Sequence, residues 1–324
     1  MIGISGIGLY KPTIMSICDV EPDKSEDELK KLGIDMVPIE DNLMATEMAI
    51  VASRRALENA GLDANDLDVI VDTQASMHDY LVWQVSAEIQ SKLGAQNAYF
   101  FDLYQACSGF IMGLVVTKQF LKSDPSINRF LLCTSEKWSP SLETRTVGKL
   151  VFADGGAAAI LEKDCVDNII LGHSFIGRGN LNDVSRMQVG AVSPPSQENP
   201  ATDYFYRMTN MEKAVNEMIP ININLFYKVG LDAILKSNLT LNDVNHLILP
   251  SVGFGLFEKI VNKFGIPIEN TNYKYVAKSG DGSTIDALVS YKQMIDDKIL
   301  KKKDNVLILG QGAGATWAAI VLKV

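Results

Sequence analysis

Apolar residues along this chain follow two alternating spacings. Short, nearly continuous runs such as Val69-Ile-Val-Asp-Thr73, Ala98-Tyr-Phe-Phe-Asp-Leu103 and Arg129-Phe-Leu-Leu-Cys-Thr-Ser-Glu136 read as buried β-strands. Between them, apolar residues recur three and four apart. Met44, Met48, Val51, Ala52 and Ala56 predict a helix ending at Gly61, where a left-handed cap is expected. Trp83 to Leu93 predicts a second helix closed by Gly94, and Phe110 to Leu121 a third. Residues 1–8 look like a first strand, whereas residues 11–40 show no clear period and are expected to hold loops and a short helix. Strands alternating with helices at this spacing argue for α/β layers around a largely parallel sheet.

The pattern then recurs. Ala56 to Val71 and Ala233 to Ile248 each contain a helix end, a Gly or Asn cap, an Asn-Asp corner and a short strand. Gly61 matches Asn238, Leu93 matches Phe264 and Phe130 matches Val306, at offsets of 177, 171 and 176 residues. Duplication of about half the chain explains these near-constant offsets. It divides the chain into residues 1–165 and 166–324, with a loop-rich insertion at about 178–212 as a plausible pocket wall. Two strand-to-helix corners, Gln105-Ala-Cys-Ser-Gly109 and Ser279-Gly-Asp-Gly-Ser283, should then face each other across a pseudo-two-fold axis and share one pocket.

Chemistry enters at the first corner, where Cys107 stands between strand and helix. Unpaired N–H groups and the positive dipole end of a helix favour an anion, so a thiol there should ionise readily and attack a carbonyl as thiolate. A small buried cysteine of no function is the competing reading. The four cysteines are far apart and the three histidines scattered, so neither a disulfide framework nor a metal site is suggested. A net charge of −9 argues against nucleic acid as a partner. No apolar run reaches the roughly 20 residues that span a bilayer, and the first residues lack a signal-peptide pattern, so a cytoplasmic location is expected.

Four segments, Ala106-Cys-Ser-Gly-Phe110, Phe152-Ala-Asp-Gly-Gly-Ala157, Asp203-Tyr-Phe-Tyr-Arg-Met208 and Gly312-Ala-Gly-Ala-Thr-Trp317, occur in this order along the chain. Together they resemble the thiolase superfamily, and within it the ketoacyl-acyl carrier protein synthase III-like branch. The resemblance implies a duplicated five-layer α/β/α/β/α fold and a homodimer formed partly through the strand Tyr99 to Leu103. It further implies an acyl group carried on Cys107, an oxyanion hole from the backbone N–H groups of Cys107 and Ala313, and no tightly bound cofactor. The substrate would be an acyl-carrier phosphopantetheine or coenzyme A thioester.

The departures from that pattern redirect the chemistry. Condensing members use a His in a Pro-preceded His-Gln-Ala-Asn motif and an Asn in a Gly-Asn-Thr-Ser motif. Here the matching stretches read Pro250-Ser-Val-Gly-Phe254 and Gly280-Asp-Gly-Ser283, placing Ser251 and Asp281 at those positions. A serine hydroxyl is no base near neutral pH, and an ionised carboxylate repels a developing enolate. A buried Asp281 with raised pKa could instead take a proton from an incoming hydroxyl or amine, although a helix N-cap would equally suit an Asp there. The expected activity is acyl transfer from a carrier-protein or coenzyme A thioester onto Cys107 and then to a hydroxyl or amine, in specialised metabolism. A condensing enzyme with an unusual triad and a partner subunit of a heterodimeric ketosynthase are the alternatives. Lys30-Lys-Leu-Gly-Ile34 lacks the aromatic that grips the coenzyme A nucleotide in the family, which favours a carrier-protein donor. Of the histidines, His246 would lie roughly 15 Å from Ser251 along a strand, His173 reads as structural, and His78 falls near where the family places pocket residues.

Overall fold

The computed structural model describes residues 1–191, 193–198 and 200–324. Nine strands form one sheet: β1 Gly3–Tyr10, β2 Val69–Asp72, β3 Tyr99–Asp102, β4 Arg129–Glu136, β5 Gly155–Glu162, β6 Ile169–Gly177, β7 His246–Ile248, β8 Asn305–Gly312 and β9 Thr316–Lys323. The longer helices are α1 Ala45–Ala60, α2 Val85–Leu93, α3 Gly109–Ser123, α4 Ile219–Lys236, α5 Phe254–Phe264 and α6 Asp286–Asp296. Strands run in the order β7-β8-β9-β6-β1-β5-β4-β2-β3, and the two sides of that order are paired through Gly3 of β1 and Ile169 of β6. On one side the order is β1-β5-β4-β2-β3. On the other it is β6-β9-β8-β7, with an isolated bridge from Leu247 to Thr271 where a fifth strand would lie. The sheet is mixed, not largely parallel: only the β2/β3, β2/β4 and β7/β8 pairs are parallel.

Alternate residues of each strand enter different cores, which is how the chain builds five layers. Val69 and Val71 of β2 and Phe130 and Leu132 of β4 face a central layer that also takes Ile308 of β8, Ala318 and Ile320 of β9, and residues of α3 and α6. Ile70, Leu131 and Cys133 point the other way, onto α1 and α2. Leu307, Leu309, Trp317 and Ala319 face α4 and α5. Both faces are therefore dry, so these strands are written as unbroken apolar runs instead of alternating ones. Glycine lets the outer helix approach: a Cβ on Gly8 of β1 would lie 2.0 Å from the Ala52 carbonyl of α1.

The cap expectations hold, with Gly61 and Gly94 both left-handed at φ +69° and +75°. Residues 11–40 contain more order than their pattern suggests: a two-stranded hairpin, Thr13–Ser16 with Met36–Ile39, encloses a helix Glu26–Leu32 started by a Ser25 capping box. The stretch Met211–Lys236 is long and apolar enough by length and composition to cross a bilayer. In the fold it lies on the sheet and gives Leu225, Phe226, Val229, Ala233 and Ile234 to the core. Within the 178–212 segment, Val192 and Asn199 lie outside the described residues.

Candidate active site

The corner that carries Cys107 is more elaborate than a strand running directly into a helix. After β3 the chain crosses to a single 3-10 turn, Ala106–Ser108, and α3 begins only at Gly109. Ala106 adopts φ +44°, a left-handed conformation that costs a non-glycine residue roughly 1–3 kcal/mol. The turn is clamped in place: Ser108 Oγ donates to the Gln105 carbonyl (3.0 Å) and pairs with Thr316 Oγ1 (3.1 Å). A Cβ on Gly312 would lie 2.9 Å from Gln105 O and from Ser108 Oγ. The end of β8 is thus flush against the corner, bringing Ala313 to the cavity that Cys107 lines.

The second half repeats this geometry with different chemistry. A 3-10 turn, Ser283–Ile285, leads into α6, and Ser283 has φ +55° in the place of Ala106. Turn for turn, Thr284 stands where the first half has Cys107. Thr284 Oγ1 donates to Glu136 Oε1 at the end of β4 (2.5 Å), and the same carboxyl accepts N–H bonds from Ala75 (3.2 Å), Ser76 (2.7 Å) and Thr284 itself (3.3 Å). Asp281 precedes the turn, and its Oδ1 accepts the Ser283 N–H (2.8 Å), so it closes a local turn instead of capping a helix. Asp286, the first residue of α6, accepts from the N–H groups of Gly282 (2.8 Å) and Ser251 (2.9 Å). It ties together the two loops that carry Ser251 and Asp281.

These buried carboxyls reverse the expectation for the thiol. Burial raises the Cys107 pKa, the negative charge of Asp281 adds to it, Glu136 and Asp286 push the same way, and the value reaches about 12. The resting side chain is a neutral thiol, because burial, reinforced by the neighbouring carboxyls, outweighs one helix turn. Burial likewise lifts Asp281 to about 7, against its bond from Ser283 and with help from Glu136. Asp286, buried and facing Asp281, is held well above the usual carboxylate range, and Glu136 is raised as well.

Cys107 lies at the junction of two cavity arms. The wider, about 410 Å³, is lined by Met77, His78, Leu81, Tyr104, Trp138 and Met187 among others. The narrower, about 150 Å³, runs past Asp281 and Ser283 between Leu150, Phe152, Met208 and Val252. Ala313, Ser185 and Tyr206 border both. Tyr206 packs edge-on to Phe152 and donates to Ser185 Oγ (2.7 Å), which brings residues of the 178–212 insertion onto the cavity wall.

Cys107, Asp281 and Ala313 therefore share one space. Ser251 does not; it is buried behind Asp281 in a small recess with Phe254 and Gly253. His78 lines the wider arm, His246 is turned to Asp304 (Nε2 to Oδ2 3.0 Å), and His173 lies within β6. Sequence reasoning did not find Glu136, Asp286 or Ser283 as members of the site. Their only local signal was position, at the end of a strand or beside the corner of a helix.

Five layers with two apposed strand-to-helix corners define a thiolase-like fold. A 3-oxoacyl-[acyl-carrier-protein] synthase III from Aquifex aeolicus superposes with TM-score 0.83 at 24% identity over 100% of both chains. ChlB3, named as an acyltransferase, superposes with TM-score 0.88 at 18% identity over 100% of this chain and 97% of its own. The chain belongs to the 3-oxoacyl-[acyl-carrier-protein] synthase III family: its model matches residues 101–179, and the model of the C-terminal part of that family matches residues 234–324. A β-ketoacyl-[acyl-carrier-protein] synthase III from Clostridium perfringens is 27% identical over 98% of both chains. Enzymes of this family are transferases that use acyl-carrier-protein or coenzyme A thioesters.

Proposed function

We propose that this protein is an acyltransferase that takes an acyl group from a thioester onto Cys107 and passes it to a hydroxyl or amine. One observation carries the reading: the carboxyl on the thiol's cavity, Asp281, titrates at about 7, where a general base works best near neutral pH. Free transfer of a proton from a thiol pushed up to about 12 to a carboxylate raised to about 7 is uphill, so the proton leaves as the sulfur attacks. In that step the Cys107 S–H proton passes to Asp281, the new C–S bond forms, and the donor's C–S bond breaks. Asp281 returns the proton to the departing thiol. In the second step Asp281 takes the proton of the acceptor hydroxyl or amine, the acceptor's C–O or C–N bond forms, and Cys107 leaves with that proton. The N–H groups of Cys107 and Ala313 would hold the oxyanion in both steps. Ser251 would act on Asp281 only indirectly, through the Asp286 carboxyl that accepts its N–H.

The absence of an aromatic in Lys30–Ile34 favours a carrier-protein thioester as donor over coenzyme A. β3 is an edge strand with Tyr99 exposed, and Tyr104 just beyond it is exposed too, which supports a homodimer formed through it. The halves 1–165 and 166–324 would each supply one corner. Intact-mass spectrometry after incubation with acyl-thioesters tests the reading: a mass gain that vanishes in Cys107→Ala is expected. No gain with any thioester would leave the heterodimer-subunit reading.

Decarboxylative condensation is the second reading, favoured by the names of the relatives and by His78 lining the arm that Cys107 shares. Carbon dioxide release from added malonyl-thioester would establish it and overturn transfer to oxygen or nitrogen.

A further inference from the structure

With Asp281, Glu136 and Asp286 all acting against its ionisation, Cys107 needs some group that favours sulfur carrying negative charge, and His78, which lines the wider arm with it, is not among the groups that act most on it. Ser283, on the narrower arm, supplies a hydroxyl. Ser283 is 5% exposed, and its Oγ is fully buried with no hydrogen-bond partner, an arrangement that costs a buried hydroxyl stability. Ser283 and Cys107 line the same narrow arm of the cavity, and toward the half-buried Cys107 sulfur Ser283 is the side chain that favours the thiolate. In the resting thiol state the contact is not a formed hydrogen bond. The hydroxyl is an unused donor facing an atom that becomes an anion during the reaction.

The backbone supports the same conclusion. Ser283 is held at φ +55°, where glycine would fit without strain, and still carries a side chain. Its N–H is committed to Asp281 Oδ1 (2.8 Å), so the residue is fixed between the base and the nucleophile. The equivalent position of the first half, Ala106, has the same left-handed backbone and no polar group. The fold thus permits a residue without a hydroxyl at this point of the turn, and the second half has a serine.

We propose that Ser283 is a catalytic residue whose hydroxyl donates a hydrogen bond to the Cys107 sulfur as it gains negative charge. When the sulfur attacks, the Ser283 O–H turns toward it and keeps its own proton; the thiol proton goes to Asp281. When the acyl group leaves for the acceptor, the same hydroxyl stabilises the departing sulfur. The proposal rests on Cys107 as the acyl carrier, and it assigns Ser283 a role separable from that of Asp281.

Alkylation of Cys107 by iodoacetamide, followed by peptide mass spectrometry across pH 7 to 10, tests it without any acyl donor. Ser283→Gly relieves the backbone strain and deletes the hydroxyl, so it folds without a steric obstacle; Ser283→Ala keeps the strain and deletes the hydroxyl. Both are expected to alkylate Cys107 roughly tenfold to a hundredfold more slowly than the natural chain at each pH, the range of a hydrogen bond to a charged partner. Alkylation of Ser283→Gly at the natural rate would overturn the proposal. If alkylation depends on Ser283 while no thioester ever loads Cys107, the role of Ser283 stands and the acyltransferase reading fails. With a thioester that does load, both variants should lower the acylation rate at unchanged KM.

Discussion

Replacing Asp281 by Asn tests the electrostatic account of the site through stability alone. The amide keeps an oxygen to accept the Ser283 N–H and removes the charge. Burial raises the Asp281 pKa to about 7, above the value near 3.9 of an unfolded Asp. The native chain therefore binds this proton more tightly than the unfolded chain, and unfolding free energy falls as pH rises between those values. About three pH units at 1.36 kcal/mol each leave the natural protein on the order of 4 kcal/mol below the variant above pH 7, with no difference below pH 4. Because Asp281 and Asp286 titrate as a pair, the window belongs to both carboxyls. Urea denaturation of the two proteins at pH 5, 6, 7 and 8 would show the variant's advantage growing along the series. A gap that stays constant with pH, or a natural protein that gains on the variant as pH rises, would refute the reasoning.

Alkylation of Cys107 should climb about tenfold per pH unit from 7 to 10 without reaching a plateau, because the thiol is pushed up to about 12; a plateau near pH 8 would contradict the buried-carboxyl account. Gly8→Ala drives a methyl into the backbone of α1, with Ala52 O 2.0 Å and Ala56 N 2.3 Å away, and should cost about 3 kcal/mol or more by chemical denaturation. Arg145→Met leaves the Asp154 carboxylate, buried at the start of β5 and held by both guanidinium nitrogens at 2.7 and 2.8 Å, without its counter-charge. A loss of about 3–5 kcal/mol is expected, and Arg145→Met with Asp154→Asn should lose less than the sum of the two single changes.

Much of the fold could be read from the chain because both faces of each inner strand are dry. β4 was legible from Arg129 to Glu136 to the residue, and α1 to within one residue of its start. The hairpin at Thr13–Ser16 and Met36–Ile39 was not, since one strand has half-exposed and exposed residues throughout and the other contains Pro38. The repeat showed which two corners would meet, and Cys107 and Asp281 do line one cavity. The charge state of the thiol was misread because the helix-end argument sees only the local backbone. Glu136 and Asp286 come from β4 and α6, and only their approach in space makes them neighbours of a sulfur on the 3-10 turn before α3. Ser251 was placed by its motif position, yet its N–H is held by Asp286 and it lines a recess beside Asp281 instead of the shared cavity.

The proposed nucleophile and the proposed base stand at the two copies of one repeated corner, which meet across the central layer. Such a joint makes the chemistry modular: the four residues 280–283 could be exchanged as a cassette while the thiol corner, its clamps and the central layer stay untouched. A small library confined to that cassette, screened for which acceptors take the acyl group, would show how far one ancestral scaffold can be retuned by editing a single loop.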